Sequence, residues 1–404
     1  MKSWLIEPRD PMIFRDGRPF GANPGARATS LSFPYPSTLA GATRTLAGRD
    51  QNGHFDKSQI NTLLTKKIFG PLLVELGDDG RIADWFFPAP ADALVLRQKS
   101  YNHMAGRVVP LAVLTTPTGT KTNLKDGLHL VGAVTSVNEK PHGNIPGFWR
   151  SSYFESWLTN PVLEEDAQFR TIGIPGLTRE SRMHVSIKME TQAAADGALF
   201  QTAGLEFTTR HKQPEEEIIL LDTTIRLALA LRTDANVQAG LGLLGGERRV
   251  VHWSTKEDAF PVCPDEVRKG IRKHRHCRLI LLTPALFANG YLPALDPQQT
   301  GGVKATVVAV AMNRYQTVSG WDYDKRQPKP TRRLAPTGTV YFLKLESVDG
   351  SDLDDTAIDD FIKAVWMRNI SDAEQDRLDG FGLAILGVWN GAIQDMEEKD
   401  EPQA

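Results

Sequence analysis

The chain has 404 residues, 41% of them apolar and 24% charged, a globular composition long enough for two hydrophobic cores. Its two cysteines form no CxxC pair, which excludes a disulfide scaffold and fits a reducing compartment. The net charge of −2 hides an asymmetry: from Glu346 onward acidic residues outnumber basic ones 16 to 4, while the preceding body holds 43 basic against 33 acidic residues.

The N-terminus, Met1 to Asp10, has charges and prolines where a signal peptide needs its apolar run, and no stretch approaches the roughly 18–20 apolar residues of a membrane span. A cytoplasmic location without membrane contact is expected. Trp4–Glu7 reads as an opening strand, followed by a loop rich in Arg, Gly and Pro from Arg9 to Phe33. Thr38–Ala47 reads as a helix capped by Ser37, and Lys57–Phe69 as a second helix halted by Gly70-Pro71. Leu72–Leu76 and Ile82–Phe87 flank Asp78-Asp79-Gly80 as a hairpin. Ser100–Thr122 is polar and aperiodic, the pattern of a long loop or protruding hairpin.

Met183–Met189 alternates with period two, and Ala198–Thr209 and Glu217–Leu221 read as further strands. Thr223–Thr233 reads as a helix leading into Gly240-Leu-Gly242-Leu-Leu-Gly245-Gly246-Glu247-Arg248-Arg249. Val250–Trp253 follows as a strand. Arg278–Leu282, Val303–Met312 and Thr339–Leu345 read as strands, Asp354–Arg368 as a helix, and Leu383–Trp389 as a last strand behind Gly380–Gly387. Strands lead and no regular βαβ alternation appears, which favours two α+β domains with antiparallel sheets.

The first six residues of the glycine stretch spell GxGxxG, yet a dinucleotide fold needs a strand before them and a small-residue helix after them. A helical segment precedes and a charged, β-branched one follows, so that reading is weak. Two others remain: glycines that merely permit tight turns, and a backbone cradle for phosphates backed by Arg248 and Arg249. Lys325–Arg333 adds five cations and no anion close behind Trp321 and Tyr323, which suits phosphates and stacked bases. Residues 268–278 carry six more, as a solvated helical face or a binding surface. The nine histidines are scattered, and no GxSxG, HExxH or P-loop pattern is present. Cys263, His274, His276 and Cys277 lack the paired spacing of a zinc site, so no metal or cofactor is expected.

Leu5–Phe20, Phe33–Arg44, Arg182–Val185, Leu244–Arg249, Val318–Asp322 and Pro328–Gly338 together resemble, in order, the RAMP-superfamily subunit of type III-B (Cmr module) CRISPR effectors that binds the crRNA 5′ handle. That resemblance implies two ferredoxin-like (RRM-type) domains, residues 1–255 with an insertion at about 70–180, and residues 256–404. It also implies a β-hairpin thumb, placed here within residues 95–125. The partners it implies are crRNA, the large signalling subunit and the backbone RAMP subunits. The role would be non-catalytic, with a precursor-cleaving endoribonuclease of the same superfamily as the alternative. Handle contacts are expected from the glycines Gly242, Gly245, Gly246, Gly382 and Gly387, and from Arg18, Arg44, Arg248, Arg249, Arg332 and Arg333. His184, Trp321 and Lys329 complete the expected set.

Overall fold

The structure is a computed structural model that describes residues 1–15, 30–50, 52–97, 104–116, 119–134, 138–143, 145–210, 224–256, 260–322 and 327–395. It is a mixed α+β protein whose sheets are mostly antiparallel. Contacts divide the chain into two compact units, each assembled from three stretches. Unit 1 holds residues 1–85, 176–258 and 317–333, and unit 2 holds 86–175, 259–316 and 334–404. No helix among the described residues is long and apolar enough to cross a membrane.

In unit 1, β1 (Lys2–Pro8), α1 (Pro36–Ala47), β2 (Ile68–Leu76) and β3 (Ile82–Pro88) come first. They are followed by β4 (Thr178–Ile187), β5 (Ala194–Glu206), β6 (Thr224–Thr233), β7 (Gly240–Leu244) and β8 (Arg249–Lys256). The main sheet runs β2-β6-β1-β8-β7, antiparallel at every step. Its centre is the apolar run of β1, where Trp4, Leu5 and Ile6 are all buried. Alternation sends Leu5 to a cluster with Val74, Leu76, Ala228 and Ala230. Trp4 faces the other way, its ring edge-on to Trp253 at 6.2 Å. β4 and β5 form a separate two-stranded hairpin.

Several expected elements differ. Thr224–Thr233 is a strand: its Leu/Ala-rich sequence favours a helix, but it lies between β1 and β2, where both faces of a central strand are covered. The expected helix at 57–69 ends at Leu64, and β2 starts at Ile68. Pro71, which has no N–H to donate, lies where the β2–β6 register shifts. α1 opens with Pro36 in its first turn after Tyr35, and Ser37 caps nothing. The expected protrusion at 100–122 instead contributes strands Ala105–Pro110 and Ala112–Leu114, with Ala105, Val108, Val109, Val113 and Leu114 buried. Glu217–Leu221 lies outside the described residues.

Unit 2 contains α2 (Ser151–Thr159), α3 (Asp265–His274), β9 (His276–Leu281), β10 (Val303–Ala311), β11 (Val340–Ser347), α4 (Asp355–Val365) and β12 (Leu383–Val388). Its main sheet runs β10-β11-β9-β12, again antiparallel throughout. α4 is capped by the Asp354 carboxylate accepting from Ala357 N, and buries Ile358, Phe361, Ile362 and Val365 at helical spacing. Phe86–Pro88, the end of β3, pairs with Phe148–Arg150 in this unit.

Candidate nucleic-acid interface

The arginine-bearing glycine stretch is a β-hairpin rather than a loop after a helix. Gly240 pairs with Trp253 and Leu244 with Arg249, so residues 245–248 make the turn. Gly245 has φ 73 and ψ −161, and a Cβ on it would lie 2.5 Å from the Ile13 carbonyl oxygen. Glu247 and Arg248 are also left-handed, at φ 58 and 53, a conformation that costs non-glycine residues about 1 kcal/mol or more. The segment after β1 clamps this turn: Gly246 N donates to Ile13 O at 2.7 Å, and Val250 N to the Asp10 carboxylate at 3.0 Å. Arg15 reaches Glu247 at 3.1 Å, and Glu247 lies 3.7 Å from Arg249.

These contacts separate the expected glycines and arginines. Gly242 is buried mid-strand beneath Trp253 and Leu46, where no side chain fits. The Gly246 N–H is already engaged, so it is not a phosphate donor. Arg248 is exposed and has no ion-pair partner among the described residues. Arg249 is mostly covered, and its Nε has no hydrogen-bond partner among the described residues. Arg15 belongs to this cluster although the sequence alone did not single it out; its signal was the Arg-Asp-Gly-Arg run at 15–18. Arg18 itself lies outside the described residues.

The root of the β4–β5 hairpin joins the same clamp. Met12 and Leu205 exchange backbone hydrogen bonds at 2.9 and 2.7 Å, and a Cβ on Gly204 would meet Pro11 at 2.6 Å. Glu180 binds Arg182 at 2.7 Å, which holds its carboxyl below the usual range; burial, then the nearby Glu180, pushes Glu206 up. His184 is on this hairpin, with Nε2 2.8 Å from Thr202 Oγ1 and its ring stacked on Phe200. The adjacent positions Met183, Val185 and Leu199 are exposed apolar side chains, the first 60% accessible.

The remaining basic candidates are split. Arg44 Nη2 donates to the Leu64 and Lys66 carbonyls, so this arginine holds the end of a short helix rather than standing open to a phosphate. Trp321–Asp322 pairs with Gln327–Pro328 as a small hairpin, closed by Lys329 N donating to Gly320 O. Lys329, Arg332 and Arg333 are exposed beyond it.

In unit 2 the second glycine stretch is not a ligand cradle. Gly382, at φ 83, donates its N–H to Pro284 O at 2.8 Å and packs against Ser371. Gly387 is buried within β12 against Arg278 and Leu158. On α3, Arg268 and Arg272 pair with Asp359, and Arg275, just past its end, pairs with Asp355. Among the described residues no group of three or more His, Cys, Asp or Glu side chains is placed to hold a metal ion.

Two cryo-EM structures of a type III-B Cmr-beta complex resemble the chain, one bound to cognate target RNA and AMPPnP and one to cognate target RNA. Each is 15% identical and covers 84% of this chain and 86% of its own, with TM-scores of 0.44 and 0.45. A crystal structure of a Csm3-Csm4 subcomplex of the type III-A interference complex matches at 9% identity and TM-score 0.32, covering 88% of this chain and 96% of that one. None of the curated proteins matches. The sequence as a whole, from residue 4 to residue 389, fits the family described as CRISPR-associated protein (Cas_Cmr3), and the chain belongs to that family.

Proposed function

We propose that this chain is a non-catalytic RNA-binding subunit of a cytoplasmic type III-B CRISPR ribonucleoprotein. In this reading it grips the crRNA 5′ handle and contacts the large signalling subunit and the backbone subunits. The observation that carries it is the turn at 245–248: an exposed arginine with no ion-pair partner among the described residues, beside Arg249 whose Nε has no hydrogen-bond partner among them, held on a strained and clamped loop. Preorganised cations of this kind suit phosphates, which accept several N–H donors at once. His184 on Phe200, with Lys329, Arg332, Arg333, Trp321 and Arg18, completes the proposed RNA-contacting set. The thumb of the resemblance corresponds in this reading to β4–β5.

The topology supports a ferredoxin-like reading of both units. Numbering the sheet strands 1 to 4 along the chain, unit 1 (β1, β2, β6, β8) and unit 2 (β9, β10, β11, β12) share the order 2-3-1-4. Unit 1 keeps a helix between its first two strands (α1), and unit 2 keeps one between its last two (α4).

Fluorescence anisotropy of labelled handle RNA against salt tests the reading. Arg248→Ala with Arg249→Ala should weaken binding and lower the salt slope by about 1.4, at about 0.7 per phosphate contact to a single strand. An unchanged affinity and slope would remove these residues from the interface. The RNA should emerge intact; a cut at one position would instead favour the endoribonuclease.

A further inference from the structure

Unit 2 has an open cleft of about 550 Å³, within the range of small-molecule sites. Its floor is an ion pair that water barely reaches: Arg278 meets Asp92 at 2.7 Å, with side chains 1% and 2% exposed. Arg278 also donates to the carbonyls of Val388, Trp157 and Leu158, and Asp92 accepts from Trp157 Nε1 at 3.0 Å. The floor is therefore electrically neutral and almost fully bonded. Phe342 and Trp389 form part of the wall, Trp389 held edge-on by His276 and Phe342 at 5.2 and 5.3 Å.

Besides Thr159, whose hydroxyl donates to Glu155 O, four more polar side chains line the same space: Asn160, His274, Asn390 and Gln394. Of these four, only Asn390 has a side-chain hydrogen bond among the described residues, its Oδ1 accepting from Ala392 N. The amides and the imidazole therefore offer both donors and acceptors. His274 is shifted toward its neutral form, by burial first and then by Lys273 and His276. The lining thus presents no uncompensated charge to draw an anion, and its polar groups ask for more than a hydrocarbon.

We propose that this cleft binds an uncharged planar heterocycle with hydrogen-bonding edges, which in cellular chemistry is a nucleobase. Aromatic wall area receives a ring face, and amide groups bond to base edges. The site does not depend on the residues proposed in unit 1. The base can come from a free nucleoside or from an unpaired position of a strand.

Equilibrium dialysis of the full chain tests it, with adenosine, guanosine, cytidine and uridine, and with an RNA hairpin carrying one bulged base against the same hairpin without the bulge. At least one nucleoside, or the bulged hairpin over the unbulged, should bind saturably. Nucleoside binding identifies a soluble ligand, and binding of the bulged hairpin alone identifies a strand. Trp389→Ala should weaken it roughly tenfold or more, Ala392→Trp should fill the space and abolish it, and the exposed Gln394→Ala should weaken it several-fold. Arg248→Ala with Arg249→Ala should leave nucleoside binding unchanged. No saturation by any ligand up to about 10 mM, or wild-type binding in Ala392→Trp and Gln394→Ala with unchanged circular dichroism, overturns the proposal.

Discussion

Gly245 combines a backbone that only glycine adopts freely with a Cβ direction closed off by the Ile13 carbonyl oxygen. Gly245→Ala should therefore cost at least about 2 kcal/mol in urea unfolding, and an unchanged midpoint would show that the turn relaxes at no cost. The glycine-arginine stretch was legible in the sequence as a turn beside cations. What each glycine does was not. Gly242 gives way to Trp253, Gly245 takes a special φ and Gly246 bonds to Ile13, and three roles within five residues look alike as letters. Arg44 and Arg248 are equally alike on paper. One has carbonyl partners at Leu64 and Lys66, and the other has no ion-pair partner among the described residues, because a cation's availability depends on what folds next to it.

At the level of elements, the apolar run Trp4–Glu7 marked β1 and the period-two alternation of Met183–Met189 marked β4, while the segments read as strands at Val250–Trp253, Val303–Met312, Thr339–Leu345 and Leu383–Trp389 are β8, β10, β11 and β12. β6 escaped because both of its faces are covered, which removes the alternation and leaves a helix-favouring Leu/Ala run. α3 shows the same limit for charge. Two of its cations, Arg268 and Arg272, pair with Asp359 of α4, and the Arg272 guanidinium, with Arg268 beside it, holds the Asp359 carboxyl below the usual carboxylate range. A lowered folded-state value means that this contact stabilises fully above the ordinary Asp value of about 4 and loses its effect as acid crosses the lowered value. Asp359→Asn should lower the urea midpoint at neutral pH, and the gap from wild type should close only in acid below that range. A gap that stays constant with pH would mean the ion pair contributes nothing.

At the scale of the molecule, each unit is braided from three stretches of chain, so a cut near residue 255 leaves neither unit complete. A fragment of residues 1–255 would carry 86–175 without the rest of unit 2 and would lack 317–333 of unit 1. It should unfold in urea without a cooperative transition, and a sharp two-state transition would show that 1–255 stands alone. The sequence by itself determined the antiparallel α+β class, most strand positions, the basic body masked by an acidic end, and the ordered blocks that carry the family resemblance. These follow from composition and from neighbours a few residues apart. Only the tertiary structure decided which of those charges remain available. Arg15 finds Glu247 across 232 residues and Arg278 finds Asp92 across 186, and no local pattern encodes partners at such separations. Burial and pairing are properties of the folded neighbourhood, which is why Arg44 and Arg248, both expected at the RNA, part company: Arg44 is held by carbonyls, and Arg248 has no ion-pair partner among the described residues.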